Sequence, residues 1–179
     1  MIFLSEPIFI NPKNWKSIKR GYFYQAAMYY LSDTEQPLRF VERNDDSTYS
    51  IDKRIGNFDP IIVDGRPRAV EQDVIVTVKP RQVIILSNNN MNQSQQFEYI
   101  QVLPVFSLSR AETFKPWYKD LLKDEQLGFA YINNSRHGLR VDLTQVSTIH
   151  KSMLLKEQRE VPEDRMRFIE SHILELLDL

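Results

Sequence analysis

Cysteine is absent from the 179 residues, which excludes disulfide staples, thiolate metal sites and a cysteine nucleophile, and suits a reducing compartment. Histidine is scarce, three in the whole chain, and no two of them stand at helical spacing, so the usual zinc ligand sets do not assemble. A surplus of either charge is missing too. Lys and Arg number 23 against 24 Asp and Glu, a net charge of -1, so any site for a polyanion must be local. No apolar run approaches the length of a membrane span, and the apolar start MIFLSEPIFI lacks a basic leader and is interrupted by Glu6 and Pro7. Neither a Gly-rich phosphate loop nor a ligand cluster calls for a nucleotide, flavin or metal cofactor. The expectation is a soluble cytoplasmic protein with no cofactor and no membrane partner.

What is present is enough to fold. With 42% hydrophobic and 26% charged residues, the chain reads as one globular domain over 1–179 with a real core. Gly21 to Leu31 is rich in aromatic residues and reads as the opening strand. From Ser32 to Asp73 several Pro and Gly residues and the polar run Arg43 to Thr48 break the periodicity, so 32–73 reads as an insertion in the first hairpin region with one or two strands of its own. Between Arg39 and Arg81 eight basic side chains face eight acidic ones, so the insertion is no basic arm.

Val74 to Val78 and Arg81 to Ser87 are β-branched runs. The second is continuously apolar, as in a strand covered on both faces. Asn88 to Gln96 reads as a polar loop, and Phe97 to Phe106 as a strand whose Pro104 calls for an edge or a bulge. Phe114, Trp117, Leu121 and Leu122 recur at helical spacing. After a turn through Asn133 to Gly138, Leu139 to Val146 reads as a strand with Leu139, Val141 and Leu143 inward and Arg140, Asp142 and Thr144 on a polar face. Pro162 to Leu177 is the clearest helix: Pro162, Glu163 and Asp164 suit its first turn, and Met166, Ile169, Ile173, Leu176 and Leu177 form a stripe. The fold class is mainly β, a strongly bent antiparallel sheet or small barrel closed by a C-terminal helix.

Lys19-Arg20-Gly21, Pro80-Arg81 opening the run to Asn88, Val102-Leu-Pro-Val105, Gln145-Val-Ser-Thr-Ile149 and the terminal helix together resemble the MazF/PemK family of toxin endoribonucleases. From Val74 to Leu179 the resemblance covers essentially everything. It implies an SH3-like bent barrel, a twofold homodimer, metal-independent cleavage of single-stranded RNA through the ribose 2′-hydroxyl, and an antitoxin whose tail fills the RNA groove. That chemistry needs a group to take the 2′-OH proton, a cation beside the phosphate, and an acid for the leaving 5′-oxygen.

Arg81 matches the family's key Arg, as phosphate and transition-state cation, against the plainer role of an Arg capping a strand. The family's Thr or Ser falls on Phe106, with Ser107 beside it, so a shift or bulge must bring Ser107 inward or the site is incomplete. Thr144 stands where an acid would precede Gln145; Asp142 is either the displaced acid or an acid paired with Arg140. Lys79, Arg20, Arg110, Thr144 and Gln145 are the RNA-binding candidates, Tyr22 and Tyr24 the stacking ones, and His137 and His150 alternative acid–base groups. Because the insertion falls where the family's hairpin loop borders the RNA groove, and two catalytic positions are altered, a competing expectation stands beside cleavage. That is a catalytically degenerate barrel acting as a protein- or nucleic-acid-binding module, such as a mobile-element or phage accessory protein.

Overall fold

The computed structural model describes residues 8–30, 39–52, 58–134 and 136–178. The apolar start through Pro7, and Leu31 and Ser32 at the edges of the expected first strand and insertion, lie outside them. The chain forms two compact units, one of Met1–Met28 with Pro80–Leu179 and one of Tyr29–Lys79; the second runs past the expected 32–73 at both ends.

The first unit is built on a seven-stranded sheet. In chain order its elements are β1 (Tyr22–Tyr30), then, after the five short strands β2 to β6 of the second unit, β7 (Thr77–Ile85), α1 (Asn89–Gln93), β8 (Tyr99–Ser107), α2 (Pro116–Leu122), β9 (Phe129–Ile132), β10 (Leu139–Asp142), β11 (Ser147–His150), β12 (Leu154–Glu160) and α3 (Glu163–Leu176). The strand order is β12-β1-β7-β8-β10-β9, with β11 also on β8, and the pairs β1–β12, β7–β8, β8–β10, β8–β11 and β9–β10 are antiparallel. The architecture is therefore mainly β with a C-terminal helix. Among the described residues the pairing does not close into a barrel.

β8 explains the shape. Its first half pairs with β11, Val102 facing Ser147, and its last with β10, Val105 facing Val141. Pro104, which has no N–H to give a ladder, falls in the gap between these two partners. It therefore sits inside the sheet, buried, rather than at an edge or bulge.

Successive residues of β7 feed two different cores, which is why that run carries no polar alternation. Ile84 packs with Phe23, Leu103, Val141, Met166 and Ile169 under α3, whereas Val83 and Ile85 pack with Phe9, Trp15, Tyr24, Ile100 and Ile149. Arg165 of α3 holds Asp124 through two parallel bonds of 2.7 and 2.6 Å, fixing the helix to the loop after α2.

Two sequence expectations change. Asn88 to Gln96 is not all loop: Asn88 caps α1 by accepting from the Met91 N–H, and Asn92 is buried against Ser87. The fully buried Lys151 closes the far end of that segment, donating to the Met91 and Ser94 carbonyls at 2.8 and 2.7 Å while lying 4.7 Å from the Trp15 ring; burial lowers its pKa. The strand expected over Leu139 to Val146 stops at Asp142. That carboxylate accepts from the Thr144 N–H, the Thr144 hydroxyl and the Gln145 amide, and so turns the chain.

The second unit holds β2 (Arg39–Arg43), β3 (Tyr49–Asp52), β4 (Ile61–Val63), β5 (Arg66–Arg68) and β6 (Val74–Ile75). They form a three-stranded sheet β3-β2-β6 and a separate β4–β5 hairpin. The β2–β3 hairpin is set by its turn: Asp46 accepts from the Thr48 N–H and hydroxyl, and Ser47 takes a positive φ of 66°. Phe40 is the one buried residue of this unit among those described, with Phe58 edge-on at 6.1 Å.

Candidate functional site

The first unit carries a groove of about 490 Å³ at the end of the Ile84 face of the sheet. Leu139 and Leu108 form its apolar floor, and Gln82, Ser107, Arg136, His137 and Arg159 contribute polar groups; Ser109 and Asn134 complete it. Among the described residues no carboxylate lines it. The placement follows from strand alternation: Gln82 continues the Ile84 side of β7, and Ser107, opposite Leu139, continues the Val105 side of β8. The sheet's apolar face thus runs out into a polar, cationic end.

Two local devices present the charged groups. The first is the loop 134–138. Asn134 accepts from the N–H groups of Arg136 and Gly138 at 2.9 and 2.8 Å, the Tyr118 hydroxyl donates to the His137 carbonyl at 3.2 Å, and the Leu108 N–H donates to the Gly138 carbonyl at 3.1 Å. Gly138 is required there: its φ is +93°, and a Cβ would meet the Tyr131 ring at 2.1 Å. The second is a bulge in β12. Tyr22 faces Glu160 and Tyr24 faces Glu157, so two steps along β1 match three along β12, and the extra residue lies at Gln158–Arg159. Bulges re-aim side chains. Here Gln158 accepts from the Gln82 amide and Arg159 reaches the groove, its guanidinium 5.5 Å from the Phe23 ring.

Among the described residues, the Ser107 hydroxyl and the His137 ring have no hydrogen-bond partner, and the Arg136 and Arg159 guanidinium groups have neither a hydrogen bond nor an ion pair. Ser109 differs. Its hydroxyl and N–H both donate to Glu112 at 2.7 Å, which holds that carboxyl below its ordinary value. The groove therefore offers two unpaired cations, an imidazole and a hydroxyl above an apolar floor, a set that can hold a phosphate diester and move a proton beside it.

The residues singled out in the sequence scatter. Ser107 and His137 meet in the groove. Arg81 is exposed on β7 beside Gln82, on the opposite side of the strand by alternation, and already interacts with a neighbour. Lys79 belongs to the second unit and is engaged likewise. Arg20 donates to the Leu86 carbonyl and to Glu170, both at 2.6 Å, tying β1 to β7 and α3. Asp142, Thr144 and Gln145 bond to one another in the turn after β10. Arg110 is exposed after β8. Phe106 lies beside Arg140, whose guanidinium is also within 5.3 Å of Trp117 and 4.9 Å of Phe129. Arg140 thus stacks among rings and makes no pair with Asp142.

Tyr24 is a core residue. Its hydroxyl donates to Glu157 at 2.9 Å, and burial raises its pKa. Tyr22 donates to Glu160, and His150 caps the turn after β11 by accepting from the Ser152 N–H. Arg136 and Arg159 are the charged groove residues not singled out in the sequence. Arg136 lay in plain view beside His137 in a loop, whereas nothing in the run Lys156 to Glu160 announces a bulge.

No family model and no curated protein matches the sequence. Among solved structures, the fold is similar to an endoribonuclease in complex with its cognate antitoxin from a mycobacterial species, at 13% identity over 91% of this chain and 97% of that one, with a TM-score of 0.49. A likeness that distant assigns no chemistry to these residues. No helix of the described residues is long and apolar enough to cross a membrane.

Proposed function

We propose that the protein is a metal-independent endoribonuclease of the toxin type, cleaving single-stranded RNA in the groove of Ser107, Arg136, His137 and Arg159. The observation that carries this is the groove's charge: two guanidinium groups without counter-ions converge on one cleft in a chain whose charges otherwise cancel. The sequence resemblance to MazF/PemK toxins supports the same class. In this reading the ribose 2′-oxygen attacks the adjacent phosphorus and gives its proton to His137. Arg136 and Arg159 hold the charge that builds on the non-bridging oxygens. The bond to the 5′-oxygen breaks, that oxygen takes a proton from solvent water relayed through the Ser107 hydroxyl, and the products are a 2′,3′-cyclic phosphate and a free 5′-hydroxyl. A cytoplasmic site, a twofold homodimer and a protein antitoxin covering the groove belong to this reading.

A second reading, a module that holds RNA without cutting it, is favoured by Asp142, whose carboxylate is buried and committed to Thr144 and Gln145. The test is incubation of the purified protein with a long mixed-sequence RNA in chelator, with analysis of the product ends. Cleavage leaving cyclic phosphate ends is expected, slowed about a hundredfold or more by His137→Asn and about tenfold or more by Arg159→Ala. Arg81→Ala run alongside separates an Arg81-centred site from one centred on the groove. RNA left intact but bound selects the second reading, and RNA neither cut nor bound overturns both.

A further inference from the structure

The second unit carries a surface that its own fold leaves uncovered. Side chains directly opposite each other in an antiparallel pair lie on the same face. Arg43 stands opposite Tyr49, Val41 opposite Ile51, and Arg39 opposite Ile75. These six side chains therefore share one face of the β3-β2-β6 sheet, while Phe40 and Glu42 fall on the other. On the shared face Tyr49 is 66% exposed, Ile51 60% and Ile75 42%. Isolated exposed apolar residues need no explanation, but Tyr49 and Ile51 of β3 and Ile75 of β6, with the half-buried Val41 of β2 on the same face, make a patch.

The six paired positions carry positive charge alone, while Asp73, whose carbonyl accepts from the Val41 N–H, stands just before β6 at the edge of the face. Arg39 and Arg43 are exposed, and among the described residues neither has a hydrogen bond or an ion pair. Glu42, the acid between them in sequence, lies on the opposite face. The unit's balanced composition thus conceals a local separation of charge.

We propose that this face is a binding platform for single-stranded RNA, with a base stacked on Tyr49, the ribose and base edges against Val41 and Ile51, and phosphates on Arg39 and Arg43. An exposed ring opposite Arg43, with Arg39 four residues along the same strand, suits an anion carrying planar apolar groups, and single-stranded RNA is the polymer that alternates the two. The platform shares only its ligand class with the groove.

The test uses the full-length protein and a fluorescent mixed-sequence 2′-O-methyl RNA, which lacks the attacking hydroxyl and so reports binding whether or not the groove cleaves. Arg39→Ala with Arg43→Ala should weaken binding about tenfold and flatten its dependence on salt by about 1.4 in log–log slope, as expected for two lost phosphate contacts on a single strand. Tyr49→Ala should weaken it about fivefold or more with the salt slope kept, and Tyr49→Phe, which keeps a stacking ring, should bind like the wild type. Variants binding as tightly as the wild type overturn the platform and leave the groove reading standing. Displacement of the RNA by polyglutamate at equal charge, with Tyr49→Ala still binding normally, also overturns it and points instead to an acidic protein segment. Wild-type protein that fails to bind RNA overturns platform and groove together.

Discussion

The two units are made from similar residues put to opposite uses. Both have strands of Ile, Val and aromatic side chains. In the first, Val83, Ile84 and Ile85 are all fully buried, because one side of β7 meets α3 and the other meets Phe9, Trp15 and Ile149. In the second, Tyr49, Ile51, Ile61, Ile62 and Ile75 all stand at least 42% exposed, and Phe40 is the one described residue that is buried. A strand becomes core only where a second layer covers it. Where none does, local hydrogen bonds such as those of Asp46 must hold the strand, and its apolar face is left for other molecules.

The largest expected effect tests that asymmetry directly. Ile84→Ala, at a site with no exposure, should destabilise the first unit by about 3 kcal/mol and abolish exchange protection of the β7 and β8 amides together. Phe40→Ala removes a bulkier side chain, yet it should release only the β2 and β3 amides, leaving those of Val83 to Ile85 protected in hydrogen-exchange mass spectrometry. Loss of protection at Ile84 in the Phe40 variant would show that the units unfold as one, and the contrast would then be one of exposure only.

Glycines sharpen the comparison. Gly138 and Gly65 both have positive φ, +93° and +74°, but a Cβ at Gly138 meets the Tyr131 ring whereas one at Gly65 meets nothing within 4 Å. Gly65→Ala should therefore carry only the left-handed penalty of about 1 kcal/mol. Gly138→Ala should carry that and a displaced Tyr131, about 2–3 kcal/mol in all by thermal unfolding. If the groove cleaves RNA, Gly138→Ala should also slow cleavage more than its loss of stability accounts for, since the loop it ends presents Arg136 and His137.

How far the sequence could be read follows the same division. Burial on both faces of the Val83–Ile85 run, the α3 stripe at Met166 and Ile169, and a mainly β fold with a terminal helix were legible, because periodicity records which faces are covered. Asp142 was misplaced because period two assumes the strand continues, and a carboxylate that bonds the next residues ends it instead. Ser107 and His137 could be singled out as chemical types, but their meeting in one groove depends on long-range register. Arg159 was invisible for a sharper reason: a bulge is the property of a pair of strands, so neither β1 nor β12 carries its signature alone.

The smallest effect compares two carboxylates in one arrangement. Glu112 in the first unit and Asp46 in the second are each held below their ordinary pKa chiefly by a nearby hydroxyl, then a backbone N–H: Ser109 and Thr48. A lowered carboxylate stabilises the folded state above the ordinary value, and that contribution is lost as the pH falls through the lower folded-state value. For Glu112 it is worth less than about 1 kcal/mol after solvent screening. Ser109→Ala should thus lower the urea midpoint of the first unit slightly at about pH 7, by an amount that shrinks as the pH falls and the Glu112 carboxylate takes up its proton. Thr48→Ala should raise the Asp46 pKa in a carboxyl NMR titration without moving that midpoint, because the hairpin it closes lies in the other unit. A midpoint that moved with Thr48→Ala would tie the β2–β3 turn to the stability of the larger sheet.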